Sequence, residues 1–236
     1  MKNIFTTKSI LPIILFLGFF FFFFLDLDSL ISWENVRENY SKLNHKSSEN
    51  IIYSIVIFFL VYLLATAFSL PVLSILSLLG GLLYGWMATL FIITSGTLGC
   101  WIVFIAAKSF LYEYLLKKTN SYISSIITNF NKGPFTWLLT LKLFPFLPIS
   151  FGNIVPGVLG MRSSIFLLAT FLAFIPGTLV YVGFGRGIAK LVISDQTISL
   201  SIFDNSNLYI PLIGLFLISM TSFVVKFLRI KKESNQ

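Results

Sequence analysis

The sequence has few charged residues and almost none of the side chains that do chemistry in enzymes. Only 11% of its 236 residues are charged, and cysteine and histidine occur once each. One cysteine makes no intrachain disulfide and no CxxC metal site, and one histidine makes no zinc or haem cluster. The sequence also has no P-loop and no glycine-rich nucleotide motif between a strand and a helix. We therefore expect a protein that is not an enzyme and that holds no metal and no cofactor.

Apolar side chains fill the chain instead. They make up 56% of the residues, and phenylalanine alone occurs 27 times, whereas a soluble domain is about 45–50% apolar and about 25% charged. Because a lipid bilayer is the solvent that accommodates so much apolar surface, we expect an all-α integral membrane protein. At about 20 residues per crossing, the length suits about five to six membrane segments.

The net charge of +8 comes from 17 Lys and Arg against 9 Asp and Glu. These basic residues stand between apolar segments rather than on one soluble face, so we expect no nucleic-acid partner. Basic residues flank membrane segments on the cytoplasmic side. The two ends of the sequence are basic, which favours cytoplasmic termini, and we expect the plasma (inner) membrane of a prokaryote.

The first apolar run, Ile10 to Leu25, follows Lys2 and Lys8 and is similar in layout to a signal peptide. Asp26 and Asp28 follow it at once, and there is no small-x-small cleavage site. We therefore expect an uncleaved anchor. Because the run is short for a crossing, a tilted or partly interfacial helix is the alternative to a full span.

Two polar segments show one apolar face at helical spacing. Residues 29–43 and 121–131 are both predicted to lie at the headgroup level as amphipathic helices. A solvated loop is the alternative for the first of them. The two apolar faces consist of Trp33, Val36, Tyr40 and Leu43 in one segment, and of Ile123, Ile126, Ile127 and Phe130 in the other.

Proline and glycine interrupt the next apolar segments. After a span from Ile51 to Leu70, we expect residues 72–84 to form one arm of a re-entrant hairpin, followed by a long segment over 86–107. A broken helix in a membrane needs protein or water around its free backbone groups, since lipid offers no hydrogen bonds. The hairpin-shaping residues are Gly80, Gly81, Tyr84 and Gly85, with the turn near Tyr84-Gly85.

Residues 135–160 contain three prolines, so they do not form one straight spanning helix. We expect a second re-entrant hairpin that turns near Ser150 to Asn153, with Asn153 bonding free backbone groups at the tip. An apolar helix from Ser164 to about Gly185 follows, and a last span runs from Leu208 to about Val225. The second set of shaping residues is Pro145, Pro148, Asn153, Pro156 and Gly157, with Pro176 and Gly177 interrupting the following helix.

The two halves share one layout, in which an amphipathic helix precedes a broken hairpin and a long span. Inverted repeats with discontinuous helices are typical of transporters. We divide the chain into an anchor and interfacial segment over 1–50, a core with two hairpins over 51–190, and a C-terminal helix and basic tail over 191–236.

Glycine, proline and basic residues also recur in a fixed order in two segments. The first segment has Gly80-Gly81-Leu82-Leu83-Tyr84-Gly85, Gly96-Thr97-Leu98-Gly99 and Phe104-x-x-Ala107-Lys108. The second has Lys142-Leu143-Phe144-Pro145, Pro148, Asn153, Gly157, Arg162, Ala169-Thr170, Pro176-Gly177-Thr178, Tyr181 and Gly185. Over about residues 51–190 this order resembles the DedA superfamily, also called the VTT or SNARE-associated Golgi protein domain. The second segment is similar to the Golgi vesicle-protein and transmembrane-protein-sixty-four branch.

The resemblance implies movement or scrambling of phosphate-bearing lipids, such as phospholipid or polyprenyl phosphate, between leaflets, in support of membrane homeostasis. The branch usually has Arg where this chain has Lys108 and Lys142, which keeps the charge but loses the bidentate fork. Relatives that couple transport to protons carry acidic residues in the first half, and none is present here.

The distribution of charge favours an anionic ligand independently of that resemblance. Between Ile51 and Ser194 there is one acid, Glu113, against eight basic residues, and a proton relay or a cation site needs acids inside the spans. The candidate residues for lipid or anion binding are Lys142, Arg162, Arg186 and Lys108.

Lys142 is the strongest of these candidates. A charged residue at membrane depth costs about 2.5–3.5 kcal/mol on insertion scales, so we expect Lys142 to face a protein-lined, water-accessible pocket. Arg162 and Arg186 have a simpler alternative as interfacial anchors that extend to the headgroups.

The expected partners are membrane lipids with phosphate headgroups, and a homo-oligomer stays open. Two other functions also stay open, namely a scaffold or assembly factor that transports nothing and a carrier for a small anionic solute.

Overall fold

The computed structural model describes residues 7–24, 39–117, 130, 133–143 and 149–193. Within these ranges the chain is helical and has no strand. The helices are α1 (Thr7–Phe24), α2 (Tyr40–Glu49), α3 (Ile51–Ala67), α4 (Leu73–Tyr84), α5 (Met87–Lys117), α6 (Pro134–Leu143), α7 (Ile149–Val158) and α8 (Ser163–Ile193). The all-α prediction is confirmed for this part of the chain.

Two helices, over Met87–Phe110 and Ser163–Ala189, are long and apolar enough to cross a membrane. A third crossing results if α2 and α3, which meet at an angle of 116°, are counted as one bent span. The chain is therefore an integral membrane protein with two to three candidate spans among the described residues. The count of five to six membrane segments stays a prediction.

α3 ends where its backbone turns into the left-handed region at Ser69, with φ 56°. The Ser69 N–H donates to Thr66 O, and the Leu70 N–H donates to Ala65 O at 2.9 Å. This pair of bonds satisfies the last carbonyls of the helix. Pro71 follows, which separates α3 from α4 as the sequence predicts.

The first hairpin turn lies where the sequence places it. α4 ends at Tyr84, and Gly85 has φ 58°, a conformation that glycine adopts without strain. α5 begins two residues later, at Met87. Whether α4 enters and leaves the membrane on one side stays a prediction.

The second turn is not where the sequence places it. Ser150 and Asn153 lie inside α7, so the prediction of a tip at Ser150 to Asn153 is wrong. α6 ends at Leu143 and α7 begins at Ile149, and residues 144–148, with Pro145 and Pro148, lie outside the described residues.

Two further expectations about helix breaks need correction. Pro156 lies inside α7, and Pro176 and Gly177 lie inside α8, which continues to Ile193 instead of ending near Gly185. A proline removes one N–H donor, and neighbouring helices compensate for it at membrane depth. α8 packs against α4, α5 and α6, and these helices contact it both before and after Pro176.

The short helix of each half packs against the long helix of the other half. α4 lies against α8, and α7 lies against α5. A Cβ on Gly81 would overlap the Val182 carbonyl, and one on Gly185 would overlap the Leu78 carbonyl. A Cβ on Gly157 would lie 2.7 Å from the Phe104 carbonyl oxygen. Only glycine allows these backbones to approach so closely.

α5 and α8 run antiparallel along the centre of the molecule. Phe104 stacks on Phe166, and Gly96 lies against Phe174, so increasing residue numbers on α5 meet decreasing numbers on α8. The loops that precede α5 and α8 are therefore at opposite ends of this helix pair.

Two apolar clusters form the core, and each includes residues of both α5 and α8 at a different level along the pair. The first contains Phe58, Tyr62, Leu76, Ile92 and Val182, and the second contains Cys100, Phe104, Leu138, Phe166 and Ala169. Phe174 packs against both clusters and joins them.

The predicted interfacial helices are described only in part. Residues 40–43 of the first belong to α2, where Tyr40 packs against Leu82 and Ala189. Residues 29–38, the segment 121–131 apart from Phe130, and the last span at 208–225 lie outside the described residues. Phe130 is buried in the second cluster. The placement of both segments at the headgroup level stays a prediction.

Candidate functional site

Lys142 lies in the last turn of α6, and its ammonium points into the protein. Nζ donates a hydrogen bond of 2.6 Å to Oδ1 of Asn153 on α7, and it lies 5.2 Å from the centroid of the Phe166 ring on α8. The side chain is half-buried. Three helices thus meet at one cation, which is bonded to a neutral amide and covered by an aromatic face.

Asn153 is completely buried, because it faces α5 one turn before Gly157. Its Oδ1 accepts the bond from Lys142, while its Nδ2 has no hydrogen-bond partner among the described residues. Asn153 therefore does not cap a hairpin tip, which corrects the prediction from sequence. It orients the lysine instead, and it presents a free donor beside it.

Lys108 belongs to the same assembly. Phe166 stacks on Phe104 with ring centroids 4.2 Å apart and planes 19° apart, and Nζ of Lys108 lies 5.6 Å from the Phe104 centroid. Lys108 also donates a 2.7 Å bond to the carbonyl of Met161, just after α7. Two ammonium groups are therefore connected through one stacked aromatic pair.

Lys108 reaches the Met161 carbonyl because α7 ends in a turn that directs this carbonyl toward Lys108. Gly160 has φ 75°, and its N–H donates to Gly157 O while the Met161 N–H donates to Pro156 O, each at 3.0 Å. This motif reverses the chain in two residues. The glycine at 160 is needed for it, since other residues are strained at that φ.

Neither lysine pairs with a carboxylate among the described residues. The ion pair that is present there joins His45 and Glu49 on the exposed surface of α2. An ammonium has three donors, and the neighbours of Lys142 and of Lys108 each supply one neutral acceptor. The site therefore has net positive charge and unused donors, which suits a phosphate or another oxyanion.

The side chains of the other two predicted basic residues have no contact to this cluster among the described residues, although Arg162 directly follows Met161, whose carbonyl Lys108 bonds. Arg186 is half-buried, with its guanidinium 5.7 Å from the ring centroid of Trp86, in the loop between α4 and α5. Arg162 is exposed in the loop between α7 and α8. The structure thus brings Lys142 and Lys108 together and leaves Arg162 and Arg186 at separate positions.

The first half has a neutral counterpart to the bond between Lys142 and Asn153. The Tyr62 hydroxyl on α3 and the Ser77 hydroxyl on α4 are 3.0 Å apart, and Ser77 also donates to Leu73 O. Tyr84 bonds Ser54 in the same way near the hairpin turn. No charged side chain takes part in either pair.

The sequence alone did not identify Phe104, Phe166 or the Tyr62–Ser77 pair as part of the site. Phe104 lies within the first segment that resembles the DedA superfamily. The sequence predicts a different role for Asn153, at the tip of the second hairpin. Phe166 carries no local signal among 27 phenylalanines.

Comparisons with known proteins find several relatives of this chain. The chain is 26% identical over 147 residues to Transmembrane protein 41B of Danio rerio, which covers 60% of this chain and 52% of that protein. It is 26% identical to the Mus musculus protein over 152 residues, with 62% and 52% covered, and 25% identical to the Homo sapiens protein over 150 residues, with 61% and 51% covered.

The chain spans about half the length of the curated relatives it matches. No solved structure matches it significantly. The profile of the family described as VTT domain matches residues 70–187. That stretch contains α4, α5, α6, α7 and nearly all of α8, and with them both lysines of the cluster. The chain belongs to the VTT domain family.

Proposed function

We propose that this protein moves phosphate-bearing lipids between the two leaflets of its membrane, without a chemical step. The observation that carries the proposal is the Lys142 ammonium, which is half-buried in an apolar segment with one neutral acceptor at 2.6 Å. A phosphate headgroup is the ligand that completes such a cation. The lipid is a phospholipid or a polyprenyl phosphate, because both present the same phosphate oxygens.

The surroundings of Lys142 favour a ligand that binds and leaves. A buried ion pair would hold the lysine permanently, but Asn153 is neutral and Phe166 contributes only an aromatic face. A cation over an aromatic ring gains about 0.5–2 kcal/mol. A phosphate can bind Lys142 without displacing Asn153 or Phe166, because the positive site is already formed. Transport also needs sites that bind weakly enough to release their ligand.

The layout of the helices supports an alternating route. Each half supplies a short helix that packs on the long helix of the other half, and the loops before α5 and α8 lie at opposite ends of that pair. We propose that the halves form an inverted repeat with two re-entrant hairpins.

Cytoplasmic termini and the plasma membrane of a prokaryote stay predictions, and the relatives named above are from vertebrates.

The glycine contacts favour a second candidate, a scaffold that binds partner proteins and transports nothing. Gly81, Gly157 and Gly185 hold the helices at backbone distance, which would serve a rigid platform equally well. This candidate gives no role to the charge of Lys142, so that charge distinguishes the two functions.

The deciding experiment reconstitutes the full chain in liposomes and measures the transfer of fluorescent phosphatidylglycerol between leaflets. Lys142→Ala should lower the transfer rate at least tenfold, while Lys142→Arg should retain it because the charge is kept. Lys46→Ala is the matched control, since Lys46 is exposed on α2. Normal transfer by Lys142→Ala, with normal insertion, would refute the anion site and favour the scaffold.

A further inference from the structure

We propose that Thr170 and Thr97 form a buried hydroxyl station between the two apolar clusters, which receives the phosphate headgroup from Lys142. This inference rests on the proposed function and extends it from a binding site to a route. The station leads from the Lys142–Asn153 pair of the second half to the Tyr62–Ser77 pair of the first half.

The position of Thr170 follows from its neighbours on α8. Phe166, Thr170 and Phe174 are four residues apart and therefore lie on one face of the helix. Phe166 lies beneath the Lys142 ammonium. Phe174 lies against Gly96, beside the ring of Tyr62: a Cβ on Gly96 would be 2.6 Å from Phe174 and 3.2 Å from Tyr62. Thr170 is therefore between the two hydrogen-bonded pairs.

Thr97 completes the station from the side of α5. It follows Gly96 directly and lies in the same turn as Cys100, on the part of α5 that faces α8 between Phe104 and Gly96. Its side chain is 5% exposed, and Thr170 is completely buried. The two hydroxyls thus come from the two antiparallel helices, and each lies along its helix between residues of the first cluster and residues of the second.

The hydroxyls of this station have no hydrogen-bond partner within the described ranges. Thr97 Oγ1 and Thr170 Oγ1 are both unpartnered, as is Asn153 Nδ2 next to Lys142. Thr89 Oγ1 and Trp101 Nε1 are also unpartnered among the described residues. Two other buried hydroxyls bond a carbonyl of their own helix: Thr66 donates to Tyr62 O at 2.8 Å, and Ser77 donates to Leu73 O at 2.8 Å. The backbone thus offers threonine a local partner, which Thr97 and Thr170 do not use.

An unpartnered buried hydroxyl destabilises the folded protein by its lost hydration, whereas a valine of the same shape has no polar group to desolvate. Polar atoms that are buried without a partner call for a ligand, a water molecule or an ion. Here the ligand chemistry is set by Lys142 and Asn153 at one end of the line. A hydrated phosphate accepts hydrogen bonds from hydroxyls and from the amide Nδ2 alike.

Neutral donors suit an intermediate station better than a further cation would. Hydrogen bonds to a charged group are stronger than those between neutral groups, so they offset part of the desolvation of a phosphate. They are weaker than the attraction of an ammonium, so the headgroup is not retained. Binding at several weak sites in series is the condition for passage through a membrane protein.

The test uses the full chain in phosphatidylcholine liposomes with fluorescent phosphatidylglycerol as the probe. Thr170→Val removes the hydroxyl and keeps the shape. We expect transfer to fall at least fivefold, while insertion and melting temperature in detergent are unchanged or increased. Thr170→Ser, which retains a hydroxyl, should transfer at the wild-type rate.

The matched control is Thr66→Val, since Thr66 is equally buried but its hydroxyl bonds its own helix. It should transfer lipid normally. If Thr170→Val fails to fold, Thr97→Val replaces it with the same expected result. A wild-type rate in a folded Thr170→Val or Thr97→Val protein overturns the hydroxyl station.

Lys142→Ala separates this inference from the proposed function. If Lys142→Ala is inactive and the threonine variants are normal, the lipid site stands and the station is wrong. If Lys142→Ala is fully active, the proposed function fails and the station fails with it.

Discussion

The two halves of the core have the same arrangement of helices but differ in charge. In the first half, Tyr62 bonds Ser77, which precedes Gly81 by four residues, and Gly81 packs on α8. In the second half, Lys142 bonds Asn153, which precedes Gly157 by four residues, and Gly157 packs on α5. The residue four positions before the packing glycine of each short helix thus belongs to a neutral pair in one half and to a pair with a cation in the other.

The difference separates what the fold needs from what the proposed function needs. A glycine in each short helix permits close packing on the opposite long helix, and both halves require it. A hydrogen bond joins α3 to α4 in the first half and α6 to α7 in the second half, and hydroxyls are sufficient for that purpose. The neutral pair of the first half joins its two helices without a charge, so the fold does not need the charge in the second half. We therefore interpret that charge as functional.

The comparison predicts an all-or-none difference in labelling from the two sides of the membrane. Trp86 precedes α5 and Arg162 precedes α8, and both residues are exposed. In vesicles, Trp86→Cys should react with an impermeant maleimide from one side and Arg162→Cys from the other. The native Cys100 is completely buried and should give no background. Labelling of both positions from the same side would contradict the inverted layout.

The next largest effect is expected at the glycine contacts. Gly81→Ala places a methyl group against the Val182 backbone, and Gly157→Ala places one 2.7 Å from the Phe104 carbonyl oxygen. Each should lower the free energy of unfolding in detergent by about 1–3 kcal/mol or more, because overpacking strains the backbone.

Gly177→Ala is the control for both glycine variants, since it lies within α8 with open space around it. It should cost nothing and stabilise the helix by up to about 1 kcal/mol. A loss at only one of Gly81 and Gly157 would show that the two halves are not held together in the same way.

The smallest effect is expected at the two hydrogen-bonded pairs, Tyr62–Ser77 and Lys142–Asn153. Asn153→Leu removes the acceptor of an ammonium, while Ser77→Ala removes the partner of the Tyr62 hydroxyl. A hydrogen bond to a charged group contributes about 1.5–3 kcal/mol and a neutral one about 0.5–1.5 kcal/mol. The unfolding free energy should therefore fall more in Asn153→Leu. Equal losses would mean that Lys142 carries no charge in the folded protein.

The sequence predicted the features that depend on local chemistry. The turn at Gly85 and the end of α3 before Pro71 were visible because glycine and proline restrict or release the backbone at their own positions. The all-α membrane class followed from composition. Lys142 stood out because an ammonium in an apolar segment is costly wherever the chain folds.

Features that depend on distant neighbours were not predictable in the same way. Asn153 and Ser150 have turn propensity, yet they lie in a helix because α7 packs on α5. Pro176 and Gly177 predicted a break that tertiary packing overrides. The stack of Phe104 on Phe166 joins residues from two helices, and no spacing within either helix indicates it.

The contact of Gly81 with Val182 also constrains how the protein is made. At about 5–20 residues per second, a ribosome needs about 5–20 s to add the stretch that separates Gly81 from Val182. During that interval α4 has no native neighbour for its glycine face, because α8 does not yet exist. Biogenesis therefore passes through a partly synthesised protein in which the glycine face of α4 still lacks the helix it packs against.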